Sequence, residues 1–76
     1  MELRIITPNG TERHQAEAVF LPGAAGAFEV LRNHAPIIST LAEGEIRWRE
    51  GGQKKSFALT GGSVMVQDNV ITVCAE

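Results

Sequence analysis

The stretch Leu21–Ile46, LPGAAGAFEVLRNHAPIISTLAEGEI, sets short apolar runs among turn formers and carries no helical period. Gly23, Gly26 and Gly44 free the backbone for turns, while Pro22 and Pro36 fix φ and remove backbone donors. Pro36 and the run Ile37-Ile38-Ser39-Thr40 turn even the most helix-like part, Glu29 to Leu41, towards extended structure. A chain that spends so much of its length on shaped loops between short strands is building a surface.

Outward from this stretch, apolar and polar residues alternate as in half-buried strands. Leu3 and Ile5 flank Arg4, and Ile46 and Trp48 alternate with Glu45, Arg47 and Arg49. Phe57 with Leu59, and Val64 with Val66, continue the pattern. The tail is denser: Ile71, Val73 and Ala75 share one face, and Val70, Thr72 and Cys74 the other. It reads as a strand covered on both sides or lying against a partner. Asn9-Gly10, Gly51-Gly52 and Asp68-Asn69 are hairpin signals, the first read as a type I′ turn. Gly61-Gly62 reads as a tight corner or bulge. Many short strands at this spacing predict an all-β fold, a small antiparallel β-sandwich or flattened barrel, as one domain over residues 1–76.

Composition narrows the function classes. A chain of 76 residues buries only about 60–65% of its unfolded surface, so docking onto a partner would stabilise it. Its four aromatics, Phe20, Phe28, Trp48 and Phe57, leave the core to Val, Ile, Leu and Ala. With a net charge of −2 and acidic residues interleaved among Arg47, Arg49, Lys54 and Lys55, nucleic acid is not an expected partner. No apolar run approaches the roughly 18 residues of a spanning helix, so no direct membrane insertion is expected. Cys74 is alone, which excludes an internal disulfide and suits a reducing compartment. It reads as a small packed hydrophobe rather than a reactive thiol.

No catalytic, metal or cofactor-binding set emerges. His34 lacks the companions a metal or a general base needs, and His14 sits in a polar run. His34 is therefore expected to bond the backbone or face a partner. No serine carries a nucleophile-elbow pattern, and the glycine pairs form neither phosphate-loop motif. Glu43, Glu45 and Glu50, alternating with Arg47 and Arg49, read as a solvated strand face. Val30-Leu31 and Ile37-Ile38 are equally consistent with core packing and an exposed docking patch.

Taken in order, the signals resemble the N-terminal β-sandwich domain of the epsilon subunit of F-type ATP synthases. The carrying residues are Leu21-Pro22-Gly23, Gly26 with Phe28, His34-Ala35-Pro36, Gly44 with Ile46, and Gly61-Gly62. The closing run Val64, Val66, Gln67-Asp68-Asn69 and Ile71-Thr72-Val73 fits as well. The resemblance implies a non-catalytic rotor subunit of the central stalk, without cofactor, that binds the gamma subunit and stands on the c-ring. It would belong to the rest of the ATP synthase complex at the cytoplasmic face of a bacterial inner membrane. It implies an interface, to the c-ring or gamma, at Glu29, Arg32, Asn33 and His34 in a loop running from Gly26 to His34; the residue types themselves place Phe28 inward as an anchor and Glu29, Arg32 and Asn33 outward. Gly23, Gly26, Pro36, Gly44, Gly61 and Gly62 would shape its turns.

The chain departs from the family pattern in three places. Read as it stands to Glu76, it is expected to lack the C-terminal helical domain, the hairpin that in many members follows the sandwich. Arg32-Asn33 replaces the common Pro-Gly, where Asn tolerates positive φ. Ala27 stands where an acidic residue is common. The same alternation also supports another reading, a stand-alone β-sandwich module that binds a peptide or small ligand.

Overall fold

A computed structural model describes Met1–Glu76 as nine strands with no helix. They are β1 (Glu2–Thr7), β2 (Gly10–Gln15), β3 (Ala18–Leu21), β4 (Phe28–Leu31), β5 (Ile37–Leu41), β6 (Gly44–Glu50), β7 (Gln53–Leu59), β8 (Gly62–Gln67) and β9 (Val70–Ala75). A five-stranded sheet, in the order β2-β1-β9-β8-β5, faces a four-stranded sheet, in the order β4-β3-β6-β7. The β-sandwich read from the alternation is present. Every ladder is antiparallel except β1 with β9, which run parallel through the middle of the five-stranded sheet. Parallel neighbours need a long crossover; here nearly the whole chain between them serves as one.

Because side chains alternate across a strand, each sheet turns one apolar row inward. Leu3, Ile5, Val64, Val66, Ile71 and Val73 from one sheet meet Val19, Leu21, Val30, Ile46, Trp48 and Leu59 from the other, all buried. Phe28 and Phe57 pack half-buried against this core, so Phe28 is the inward anchor expected of it. Backbone bonds between segments of the two sheets also tie the sandwich: the Ala42 amide donates to Pro22 at 2.8 Å and the Ala24 amide to Thr40 at 2.9 Å. The Glu17 amide, donating to Arg49 at 2.8 Å, extends the β3–β6 ladder.

The turns match their chemistry at two of the three hairpins with two-residue turns. Gly51 and Gly52 have φ of 57° and 78°, and Asp68 and Asn69 have 52° and 61°, as type I′ turns require. The first hairpin corrects the reading of Asn9-Gly10. Thr7 pairs with Gly10, so Pro8 and Asn9 are the central residues. Proline cannot take the positive φ of a type I′ turn. Gly62 marks the corner between β7 and β8; a Cβ there would collide with the Cys74 carbonyl at a φ of 148°.

Two further expectations change. Cys74 is exposed, because its place on β9 faces outward, opposite Ser63 and away from the core. It is not a packed hydrophobe. The segment from Gly26 to His34 is not one loop, since Phe28–Leu31 pairs with Ala18–Leu21 as a strand.

Candidate interaction surfaces

Three outward features stand apart from ordinary solvated strand faces. The first is the outer face of the five-stranded sheet. Ile38 on edge strand β5 is 81% exposed, with Met65 directly across on β8 and Thr72 beyond it on β9. The adjacent row runs Thr40, Ser63, Cys74 and Ile6. Ile6 and Met65 are also exposed. The dense tail is therefore covered on its inner side by the core and left open on its outer side. Of the apolar pairs left ambiguous, Val30 is buried and Ile37 half-buried, while Leu31 and Ile38 point outward on opposite faces of the sandwich. Farther across the sheet, Arg4 donates to the Glu2 carboxylate. That bond holds Glu2 below its ordinary range and raises Arg4.

The second feature is the end where β4 leaves its sheet. Asn33 adopts φ 63°, as its residue type allows. Its amide donates to Asn69 Oδ1 at 2.6 Å, and Asn69 Nδ2 donates back to Asn33 Oδ1 at 2.9 Å. This reciprocal pair pins the Arg32–Pro36 segment to the β8–β9 turn. His34 is half-buried and its Nδ1–H donates to the Ala35 carbonyl at 2.7 Å, while Arg32 and Pro36 are exposed. Glu29 lies apart from them, on the outer face of the four-stranded sheet opposite Phe20. Gly26 caps the other end of β4. There it joins Gly23, Gly44, Gly61 and Gly62, which hold the loops close: a Cβ on Gly23 would collide with the Gly26 carbonyl, and one on Gly44 would crowd Pro22. The structure thus brings Arg32, Asn33 and His34 together and separates them from the glycine-rich end.

The third feature was missed from sequence. Glu50 leaves the solvated face of Glu45, Arg47 and Arg49, because alternation from Trp48 turns it inward at the end of β6. Its Oε1 accepts from the Trp48 indole at 3.2 Å, meets Lys55 Nζ at 3.3 Å and faces His14 Nδ1 at 3.2 Å. His14 Nε2 faces Glu12 at 3.0 Å, and the imidazole lies 4.7 Å from the Trp48 ring. The indole bond, helped by Lys55 and His14 and opposed by desolvation, holds the Glu50 carboxyl below its ordinary range. This cluster ties edge strand β2 of one sheet to β6 and β7 of the other. A signal for it existed: pairing His14 with buried Leu3 turns the imidazole inward. No group of three His, Cys, Asp or Glu side chains is placed to hold a metal ion.

Known proteins share this fold. A family model described as "ATP synthase, Delta/Epsilon chain, beta-sandwich domain" matches residues 1–76. The chain is 41% identical over 75 residues to the ATP synthase epsilon chain of Desulfitobacterium hafniense, covering 97% of this chain and 57% of that protein. It is 42% identical over 78 residues to that of Symbiobacterium thermophilum, covering 100% and 56%. The chain therefore spans a little over half the length of these relatives. Its fold is similar to a chain of the Euglena gracilis mitochondrial ATP synthase, OSCP/F1/c-ring in rotational state 1, with a TM-score of 0.88 at 22% identity, covering 96% of this chain and 48% of that one. A chain of the Tetrahymena thermophila mitochondrial ATP synthase central stalk and c-ring gives 0.83 at 19%, covering 99% and 62%. The sandwich, its turns and the full-length family match lead to one conclusion: the chain belongs to the β-sandwich domain family of ATP synthase delta/epsilon chains.

Proposed function

We propose that this chain is the β-sandwich part of a non-catalytic central-stalk subunit of an F-type ATP synthase. In this role it binds the gamma subunit, stands on the c-ring and passes rotation between ion flow and ATP synthesis. The observation that carries the reading is the family match over residues 1–76. Epsilon chains of bacteria among its relatives support a place at the cytoplasmic face of a bacterial inner membrane.

The task is mechanical. A sandwich whose sheets share one core, and are tied by backbone bonds, resists shear between the surfaces it presents. We assign the gamma contact to the outer face of the five-stranded sheet, where Ile38, Met65 and Ile6 are exposed. Contiguous apolar surface of this kind marks a partner. Glu29, Arg32, Asn33 and His34 supply polar contacts to gamma or the c-ring. Gly26 and Arg32 cap opposite ends of β4, so only one of those ends stands on the ring. Cysteines at Ala27 and Asn33, cross-linked in turn within the assembled complex, identify the end by which one reaches a c subunit. Co-expression with gamma tests the reading as a whole. The chain is expected to co-purify with gamma, and its absence from every such complex would refute the assignment.

A further inference from the structure

The outer face of the four-stranded sheet, on the other side of the sandwich from Ile38 and Met65, is divided by chemistry. Its β3–β4 half presents Phe20, 46% exposed, and Leu31, 52% exposed. Its β6–β7 half presents Arg47 opposite Phe20, then Arg49 opposite Ala18 and Lys54 opposite Arg49. A cleft of about 460 Å³ opens along this boundary, and its walls include four cations, Phe20 and Trp48 but no carboxylate. Lys55 is committed to Glu50, whereas Arg47, Arg49 and Lys54 take part in no ion pair. A chain with net charge −2 has thus gathered three unpaired cations beside its most exposed aromatic ring. Glu29 stands directly across from Phe20 and two residues from Leu31 on β4, and Glu45 lies two residues from Arg47 on β6; both carboxylates line a second hollow that shares Phe20 and Arg47 with this boundary.

We infer that this face binds an acidic amphipathic polypeptide segment, whose apolar side covers Phe20 and Leu31 and whose carboxylates meet Arg47, Arg49 and Lys54. The spacing selects a polypeptide over a single small anion. Arg47 and Arg49 stand two residues apart on one strand, about 6.8 Å, and are strung along the cleft rather than converged on a point. Carboxylates spaced along a chain match that arrangement, and guanidinium groups take them in bidentate pairs. The adjoining apolar strip asks for aliphatic cover, which inorganic phosphate does not provide. The face lies opposite the Ile38–Met65 face assigned to gamma, so those two contacts are compatible; of the proposed polar contacts, Glu29 alone shares it.

The test is fluorescence anisotropy of the full chain with a labelled synthetic peptide of Glu and Leu at amphipathic helical spacing, beside the same peptide with Gln for Glu. The acidic peptide is expected to bind, and the Gln version to bind at least about tenfold more weakly. The double variant Arg47→Gln/Arg49→Gln is expected to weaken binding about tenfold, as two lost exposed pairs would. Phe20→Ser is expected to weaken it through the apolar strip. The variant Arg13→Glu makes the same change in net charge elsewhere and is expected to leave binding intact. The three substituted arginines and Phe20 are exposed, and an unchanged melting temperature verifies that each variant is folded. Failure of the acidic peptide to bind, or equal losses in the Arg47/Arg49 and Arg13 variants, would overturn the proposal. So would displacement of the peptide by inorganic phosphate, or binding to phosphatidylserine vesicles in place of the peptide.

Discussion

Glu50 shows how one side chain at the end of a strand joins two sheets. Its carboxylate takes the Trp48 indole, Lys55 and His14 from three directions, and its folded pKa is lowered from 4.5 mainly by the indole bond. A depressed carboxylate contributes stability that is present above its unfolded pKa and lost as pH falls through the folded one. Melting temperature measured against pH is therefore expected to decline below about pH 4.5, with a shallower decline in Glu50→Gln. The Glu2–Arg4 pair follows the same sign and remains in that variant, so the decline is reduced and not abolished. His14→Ala removes the ring against Trp48 and the contacts with two carboxylates. It is expected to lower stability by about 1 kcal/mol in urea denaturation. Little of this cluster was legible in the sequence. His14 sits among Thr11, Glu12, Arg13 and Gln15, a run without apolar alternation, and only its pairing with Leu3 turns it inward. Asn33 was legible, because its tolerance of positive φ is a property of the residue itself.

Among the elements, the turns separate what a local rule determines from what tertiary structure determines. Gly51-Gly52 and Asp68-Asn69 form the turns their composition prescribes. Pro8-Asn9-Gly10 does not, because the proline takes a central position and blocks positive φ there. Gly51→Ala meets open space and only the left-handed penalty, about 1–2 kcal/mol. Gly62→Ala meets that kind of backbone cost and a collision with the Cys74 carbonyl between adjacent strands. Urea titrations are expected to rank Gly62→Ala well below Gly51→Ala in stability, and equal values would show that the corner relaxes freely. The same contrast explains the tail. Alternation placed Ile71 and Val73 in the core correctly, but a single sequence does not tell whether the opposite face meets a second layer. Val70, Thr72 and Cys74 end on the open side because β9 is a middle strand of an outer-facing sheet. The parallel pairing of β1 and β9 was illegible for a related reason: it joins the two ends of the chain, beyond the reach of any turn signal.

As a whole, the molecule is a small sandwich with a core of 14 buried apolar side chains, and a core of that size leaves stability modest without partners. Truncating one of its larger members, such as Ile46→Ala or Leu21→Ala, is expected to cost about 2–5 kcal/mol and to leave little folded protein, as circular dichroism would report. The order of strands and turns along the chain was legible enough to point to the family, because each alternating run and glycine corner is local. Which outer face meets which partner was not, since exposure of Ile38, Met65 and Leu31 depends on how the two sheets stack. Ile38 and Met65 are exposed, so Ile38→Glu/Met65→Glu is expected to leave the isolated fold intact while placing charge in the proposed gamma contact. Any partner that binds only the native state raises its melting temperature. The decisive measurement is therefore the melting temperature of the chain and of this double variant with and without saturating gamma subunit. A rise with gamma in the parent chain, absent from the variant, is expected; an unchanged melting temperature in the parent chain would contradict a place for it in the central stalk.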